Sequence, residues 1–196
     1  MGEYCGAIAR EAGRLEFLVN RLLQTHKIEA GENRYHPAPH CLYELVKSAV
    51  ANFDAQAEAR RIRVAIDADD TTREVEVDRT AIQDSIQNLM DNAIKYSPDA
   101  TCIEVQIRHG VEHVDISVKD QGIGIEPAEL TSIFGRFYRG KRGVEQCPRG
   151  TGLGLWLVKA VAEAHGGKVV VTSLPGEGST FRLILPIHET SACLES

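Results

Sequence analysis

The chain lacks the marks of several large protein classes. No stretch approaches the roughly 18 consecutive apolar residues that span a bilayer, and the N-terminus has no positively charged start leading into an apolar run. None of these residues is therefore expected to touch a membrane directly, although a membrane anchor could precede Met1 in a longer protein. The five cysteines (Cys5, Cys41, Cys102, Cys147 and Cys193) are odd in number, scattered and without a CxxC pair. That pattern argues against a disulfide framework or a zinc site and for reduced thiols in the cytoplasm. Basic residues are in the minority: 22 Lys and Arg against 28 Asp and Glu leave a net charge of −6. Broad nucleic-acid binding needs clustered cations to displace phosphate counterions, so no nucleic-acid partner is expected. There is no internal repeat and no biased tract.

The 196 residues are enough for one well-buried domain and an appendage. Ile8, Leu15 and Leu22 recur every seven positions, with Leu18 and Val19 in the same stripe. This predicts a helix, stopped near Gly31, whose seam either pairs with another helix or merely caps the adjoining domain. Pro37 and Pro39 predict an extended linker over 32–40. Beyond it, Leu42, Leu45, Val46, Ala49, Val50 and Phe53 trace an amphipathic helix to about Arg60. Strands are expected at 62–66 and 74–77, a helix at 79–96 and two alternating strands at 102–108 and 111–119. A mobile, loop-rich insertion with one short helix near 127–134 comes next, then a helix at 151–165 and a closing hairpin at 168–173 and 179–185. Hairpin-linked strands with three interspersed helices imply an α+β domain: a mostly antiparallel sheet with helices on one face.

Three segments carry chemistry. On the 79–96 helix, Asn88, Asn92 and Lys95 or Tyr96 are three or four residues apart and share a face. An amide oxygen from Asn92 suits Mg²⁺, which prefers oxygen ligands, and Lys95 suits phosphate; a plain polar surface with Ile86, Leu89 and Ala93 behind it fits as well. Asp120 stands where the apolar strand ends in Gln121-Gly-Ile-Gly124, an acceptor suited to the exocyclic amine of adenine. Read alone, the same residues also describe an ordinary turn. Gly150-Thr-Gly152-Leu-Gly154 opens the last helix, where free N–H groups favour an anion such as phosphate, or it serves as a hinge. No Lys-Ser/Thr comes after it, which excludes a Walker loop, and the glycine spacing excludes a dinucleotide fingerprint.

Between the glycine segments, Arg136, Arg139, Lys141, Arg142 and Arg149 concentrate positive charge among Gly135, Gly140 and Gly143. The segment reads either as a solvated loop or as a lid that brings an arginine to a terminal phosphate, anchored by Phe134, Phe137 and Tyr138. His165, just before Gly166-Gly167, is expected to cap its helix as a cation. His36 and His40 are poorly placed for a metal, and the N-terminal helix has no His-Glu or His-Asp pair that would mark a phosphoacceptor.

These motifs, in this order, resemble the catalytic part of bacterial two-component sensor histidine kinases over roughly residues 10–186. Residues 88–96 resemble that family's N box, 120–124 its first glycine box, 134–139 its F box and 150–155 its second glycine box. The N-terminal seam resembles the second helix of the family's dimerisation hairpin. The resemblance implies a two-layer α/β sandwich shared with gyrase-type and heat-shock-chaperone ATPases, preceded by one long helix. It divides the chain into a partial dimerisation helix (1–31), a linker (32–40), an ATP-binding catalytic domain (41–188) and a tail (189–196). It implies ATP and Mg²⁺ as ligands, with the metal on Asn92 and Asn88 supporting the phosphate end. Lys95 and Arg139 would act on phosphates and Tyr96 and Tyr138 would flank the nucleotide. Asp120 would read adenine, Gly122 and Gly124 would shape the wall, and Gly150, Thr151, Gly152, Leu153 and Gly154 would line the phosphate side.

By the same resemblance the whole protein would be a homodimer that phosphorylates a histidine and passes the group to a response regulator. The first hairpin helix, with its acceptor histidine, is missing from this sequence, so Met1-Gly2 is read as the start of a fragment. Gln121 stands where that family often has asparagine, and Trp156 where a small residue is common. Two alternatives share the motifs: a serine-directed kinase of the anti-sigma-factor type, and a non-catalytic module that only senses nucleotide.

Overall fold

The computed structural model describes Val19, Leu23, Thr25, His26, Ile28, Ala30 and residues 34–148 and 150–187. The chain forms two compact units, Met1–Arg34 and Tyr35–Ser196. In the first, Val19, Leu23, Thr25, His26 and Ile28 are helical, and Val19 and Leu23 are exposed. The expected seam positions Ile8, Leu15, Leu18 and Leu22 lie outside the described residues, as do Arg149 and the tail from 188 onward.

The second unit begins with β1 (Ala38–Cys41), so the proline-bearing stretch expected to be a linker already contributes a strand. It pairs antiparallel with β3 (Glu74–Val77) in a separate ribbon. Helix α1 (Leu42–Ala51) buries Leu42, Leu45, Val46, Ala49 and Val50. The periodicity predicts one helix to about Arg60, but the chain breaks it at Asn52–Phe53. There Asn52 and Phe53 form a turn (Phe53 φ −107°, ψ 0°) with Phe53 still buried, and a separate α2 (Asp54–Ala59) begins.

A five-stranded sheet carries the rest, in the order β2 (Arg63–Ala68), β4 (Cys102–His109), β5 (His113–Lys119), β7 (Gly178–Pro186), β6 (Lys168–Leu174). Only β2–β4 is parallel; the other pairs are antiparallel. Period-two alternation sends Ile103, Val105, Ile107, Val114, Ile116, Val118, Phe181, Leu183 and Leu185 into one buried layer. The opposite face is polar, with Arg182 paired to Asp115 and Lys119 to Glu104. The architecture is the expected α+β sandwich, mostly antiparallel, with helices on one face.

Helix α3 (Arg79–Tyr96) lies between α1 and α5 (Gly154–Ala164). Its apolar stripe Ile82, Ile86, Leu89, Met90 and Ala93 keeps the 3.6-residue period, which buries one side and leaves the other for polar groups. Asp78 caps its start, accepting the Ala81 N–H at 2.9 Å. Burial pushes the Asp78 carboxyl up, but the N–H groups of His36 and Ala81 outweigh it and hold the group below the usual range. At the other end Ser97, extended before Pro98, stops the helix. The Arg60 guanidinium donates to the Ile94 and Ser97 carbonyls and pairs with Asp99, so the last turn is capped by a cation.

His165 is the C-cap residue of α5, as expected: its Nδ1 meets the Val161 carbonyl at 2.8 Å. Its Nε2 accepts the Asp78 N–H at 3.0 Å, so the same ring joins the end of α5 to the start of α3. Gly166 (φ +71°) then turns the chain, and a Cβ on Gly167 would lie 2.1 Å from the Ile184 oxygen.

Candidate functional site

Asp120 leaves β5 with its main-chain N–H bonded to the Ser179 carbonyl, and the residue is only 6% exposed. Oδ1 accepts two N–H groups, Gly122 at 2.8 Å and Ser179 at 3.2 Å, while Oδ2 accepts none among the described residues. Burial raises the pKa to about 6, against the lowering effect of those two bonds. A carboxylate held through one oxygen leaves the other for a donor from outside, which is what recognition of an amino group requires.

The loop after Asp120 cannot be built from larger residues. A Cβ on Gly122 would lie 2.6 Å from the Tyr96 carbonyl oxygen, and Gly124 (φ +65°) would place one 2.0 Å from the Leu174 oxygen. These close approaches join the loop to the end of α3 and to the β6–β7 hairpin. The Ile123 N–H donates to the Tyr96 carbonyl at 3.3 Å, and Gly176 donates to the Ile123 carbonyl at 2.8 Å.

On α3, Asn88 is buried. Its Nδ2 donates to the Asp84 carbonyl at 2.9 Å, and Oδ1 is buried with no hydrogen-bond partner among the described residues. Asn92 and Tyr96 are half-buried, and burial pushes the Tyr96 hydroxyl up. Lys95 is exposed and paired with Asp91, one turn back.

The segment between the glycine boxes differs from the loop-rich insertion expected. A 3₁₀ turn spans Pro127–Glu129, and the basic stretch forms a helix, α4 (Lys141–Gln146). Glu129 gathers the approach to α4: its Oε1 accepts the Tyr138 hydroxyl at 3.3 Å and the Lys141 N–H at 3.2 Å. Loss of hydration and the facing Glu129 push the Tyr138 hydroxyl up. Gln146 donates to the Lys95 and Tyr96 carbonyls, both at 3.3 Å, which seats α4 on the end of α3. Arg139 donates to the carbonyls of Pro148, Gly143 and Cys147 and so holds the end of α4, where the Gly143 carbonyl also accepts the Cys147 N–H at 3.0 Å.

Residues 150–153 precede α5 rather than belonging to it. Gly152 (φ +70°) packs so closely that a Cβ would meet the Phe137 carbonyl carbon at 2.6 Å and the Tyr138 oxygen at 2.7 Å. A Cβ on Gly150 would lie 3.3 Å from the Arg139 guanidinium. The Leu153 N–H is held by Thr151 Oγ1 at 3.3 Å, and no side chain among the described residues caps the start of α5 at Gly154. Its first N–H groups are the natural seat of an anion. Phe137, more than half exposed, has φ +59°, a strained conformation for a bulky residue, with Arg136 over its ring.

Two groups of the expected site residues come together, while the side chains of Asn88 and Lys95 bond only within α3 among the described residues. Asp120, Gly122 and Tyr96 meet at one end; Arg139, Gly150, Gly152 and Tyr138 meet at the other. Four contributors carried no mark in the sequence: Glu129, Gln146, Ser173 and Ser179 are single polar residues whose partners lie elsewhere along the chain.

Residues 77–189 match the family described as histidine kinase-, DNA gyrase B- and HSP90-like ATPases. The chain belongs to this family. More narrowly, it is an ATP-binding catalytic domain of the sensor histidine kinase kind. It is 35% identical over 176 residues to the sensor-like histidine kinase SenX3 of Mycobacterium tuberculosis, covering 90% of this chain and 43% of that protein. It is 36% identical over 186 residues to the histidine protein kinase DivJ of Caulobacter vibrioides, covering 94% and 31%. The chain therefore spans less than half the length of these relatives. Among solved structures, the catalytic domain of the histidine kinase ThkA superposes with a TM-score of 0.70 at 26% identity, covering 78% of this chain and 98% of that one. Full-length ShkA, in complex with AMPPNP, shares the fold with a TM-score of 0.84 at 24% identity, covering 97% and 39%. Among the described residues no helix is long and apolar enough to cross a membrane.

Proposed function

We propose that this family member binds Mg-ATP between α3, the Asp120 loop and the start of α5. It would supply the terminal phosphoryl group to a histidine outside the chain, for relay to an aspartate of a response regulator. The observation that carries the ATP reading is the Asp120 carboxylate, buried and fixed through Oδ1 while Oδ2 accepts nothing among the described residues. Oδ2 takes the exocyclic amine of adenine. Gly122 and Gly124 keep the wall thin enough for the base, and Tyr96 and Tyr138 flank the nucleotide.

Gly150, Thr151, Gly152, Leu153 and Gly154 bring the phosphates to the uncapped start of α5. The donor set suits Mg²⁺: Asn92 offers an amide oxygen, and the buried, unpartnered Oδ1 of Asn88 fits the same hard cation or its water. When bound, the metal neutralises phosphate charge. Lys95 and Arg139 add positive charge around the transferring group, and each must first exchange its present partners, Asp91 or the carbonyls of Gly143, Cys147 and Pro148. The chain thus acts by positioning and charge compensation, with the acceptor brought by the rest of a homodimeric, cytoplasmic kinase body.

The sensor kinases to which the chain is similar favour a histidine acceptor over a serine-directed kinase or a nucleotide-sensing module. Calorimetry with a non-hydrolysable ATP analogue should show binding by the native chain and none by Asp120→Ala; equal affinity rejects the adenine assignment. Incubation with a separately supplied acceptor hairpin and ATP should give acid-labile phosphohistidine. Acid-stable phosphoserine, or no transfer, would reject the acceptor assignment.

A further inference from the structure

We infer that Ser173 is a positioning residue for base recognition, acting through the loop that carries Asp120. The inference rests on the reading of Asp120 as the adenine acceptor. Ser173 lies near the end of the β6 arm of the hairpin, in a position that strand alternation alone would explain as packing. Its side chain is instead the centre of a buried hydrogen-bond junction. Oγ accepts the Ile125 N–H at 2.9 Å, donates to the Gly178 carbonyl at 2.8 Å and lies 2.9 Å from Ser179 Oγ. Ser179 in turn exchanges bonds with Asp120: its N–H reaches Oδ1, and its carbonyl takes the Asp120 N–H. One hydroxyl therefore connects the far end of the glycine loop to the strand that holds the carboxylate.

The geometry leaves little slack for another anchor. Between Asp120 and Ile125 the loop is pinned to the hairpin by the Gly176–Ile123 bond and by the close approach of Gly124 to Leu174, and Ser173 supplies the last tie. Without it, Ile125 N–H and the Gly178 carbonyl lose a shared partner, and the Ile125 end of the loop is released while Ile123 stays tied to Tyr96 and Gly176. The consequence falls on the orientation of Asp120 Oδ2 rather than on the phosphate end, whose elements Ser173 does not touch among the interactions seen.

That asymmetry supplies the test. Inosine triphosphate carries an oxygen in place of the 6-amino group, so the ratio of its dissociation constant to that of ATP isolates the contact at Asp120. Calorimetry would be run with both nucleotides and Mg²⁺ on the native chain, Ser173→Ala, Ser173→Thr, Ser173→Cys and Asp120→Asn. An Ile116→Val control lowers stability in the core without touching the loop. Ser173→Ala should weaken ATP about five- to tenfold, the loss expected of one hydrogen-bonded tie, and leave inosine triphosphate nearly unchanged. Ser173→Thr should keep the native preference, Ser173→Cys should lose part of it, and Ile116→Val should keep it. Equal weakening of both nucleotides by Ser173→Ala, or the same loss in Ile116→Val, would reduce Ser173 to a stability residue. Should Ser173→Ala not fold, a native preference in Ser173→Cys would overturn the inference. If Asp120→Asn retains the preference, the adenine reading itself fails. If it loses the preference while the Ser173 variants keep it, only the Ser173 inference fails.

Discussion

Replacing Asp120 by asparagine should make the protein more stable and less able to bind ATP, and the stability gain should depend on pH. Burial raises the Asp120 pKa from 3.8 to about 6. A shift of about two units corresponds to roughly 3 kcal/mol spent on keeping the ionised group in the fold. The folded pKa lies above the unfolded one, so the fold takes up a proton. The resulting stabilisation is complete below about pH 4 and is lost as pH rises through about 6. Asparagine can still accept the Gly122 and Ser179 N–H bonds through its oxygen, without the charge. Asp120→Asn should therefore gain about 1–3 kcal/mol at pH 7 to 8, because some of the relief is offset by weaker, uncharged hydrogen bonds. The gain should shrink to near zero by pH 4. Urea unfolding at half-unit pH intervals, monitored by circular dichroism, reads the difference directly. In the same variant the amide NH₂ faces the adenine amine, donor against donor, so affinity for an ATP analogue should fall at least about 100-fold. A destabilised variant at pH 8, or a gain independent of pH, would refute the account of Asp120 as a charge held under strain for binding.

The same geometry sets three further outcomes. ATP-analogue affinity should fall about tenfold per pH unit below about pH 6, where Asp120 gains its proton, and calorimetry that finds no dependence between pH 5 and 7 contradicts the ionised acceptor. Gly124→Ala should lose about 2 kcal/mol or more of stability in urea unfolding, since φ is +65° and the added methyl meets the Leu174 oxygen at 2.0 Å. His165→Leu should cost about 1–3 kcal/mol by leaving the Asp78 N–H without its acceptor, and a native-like midpoint would show that the histidine is not a latch.

Much of the fold could be read from local pattern because the pattern and the packing agree. The strand alternation of Ile103, Val105 and Ile107 and the helical stripe of Ile82, Ile86 and Ala93 each specify one buried face. The helix expected at 79–96 is α3 to the residue, ended by Ser97 before Pro98. The pattern misled where the apolar period runs on through a turn: the stripe through Phe53 reads as continuous helix, yet Asn52–Phe53 divide it while Phe53 stays buried. The pairing of Ala38–Cys41 with Glu74–Val77 spans too much chain for any local rule, and Pro37 and Pro39 disguised it. At the site, glycines were legible because close approach demands them, as at Gly122, Gly124 and Gly152. Partners were not: the carbonyls that hold Arg139, the Glu129 that gathers Tyr138 and Lys141, and the Ser173 junction all depend on contacts across the fold. The second role of His165, as acceptor for the Asp78 N–H, was hidden for the same reason, since its partner lies 87 residues away.

A crystal structure of this chain grown with a non-hydrolysable ATP analogue and Mg²⁺ would show whether one cavity holds the chelated nucleotide with its base at Asp120. The adenine amine should lie about 3 Å from Asp120 Oδ2, with the metal on Asn92 and the phosphates over Gly150–Gly154. A base bound away from Asp120, or a triphosphate lying outside the space between α3 and the start of α5, would contradict it.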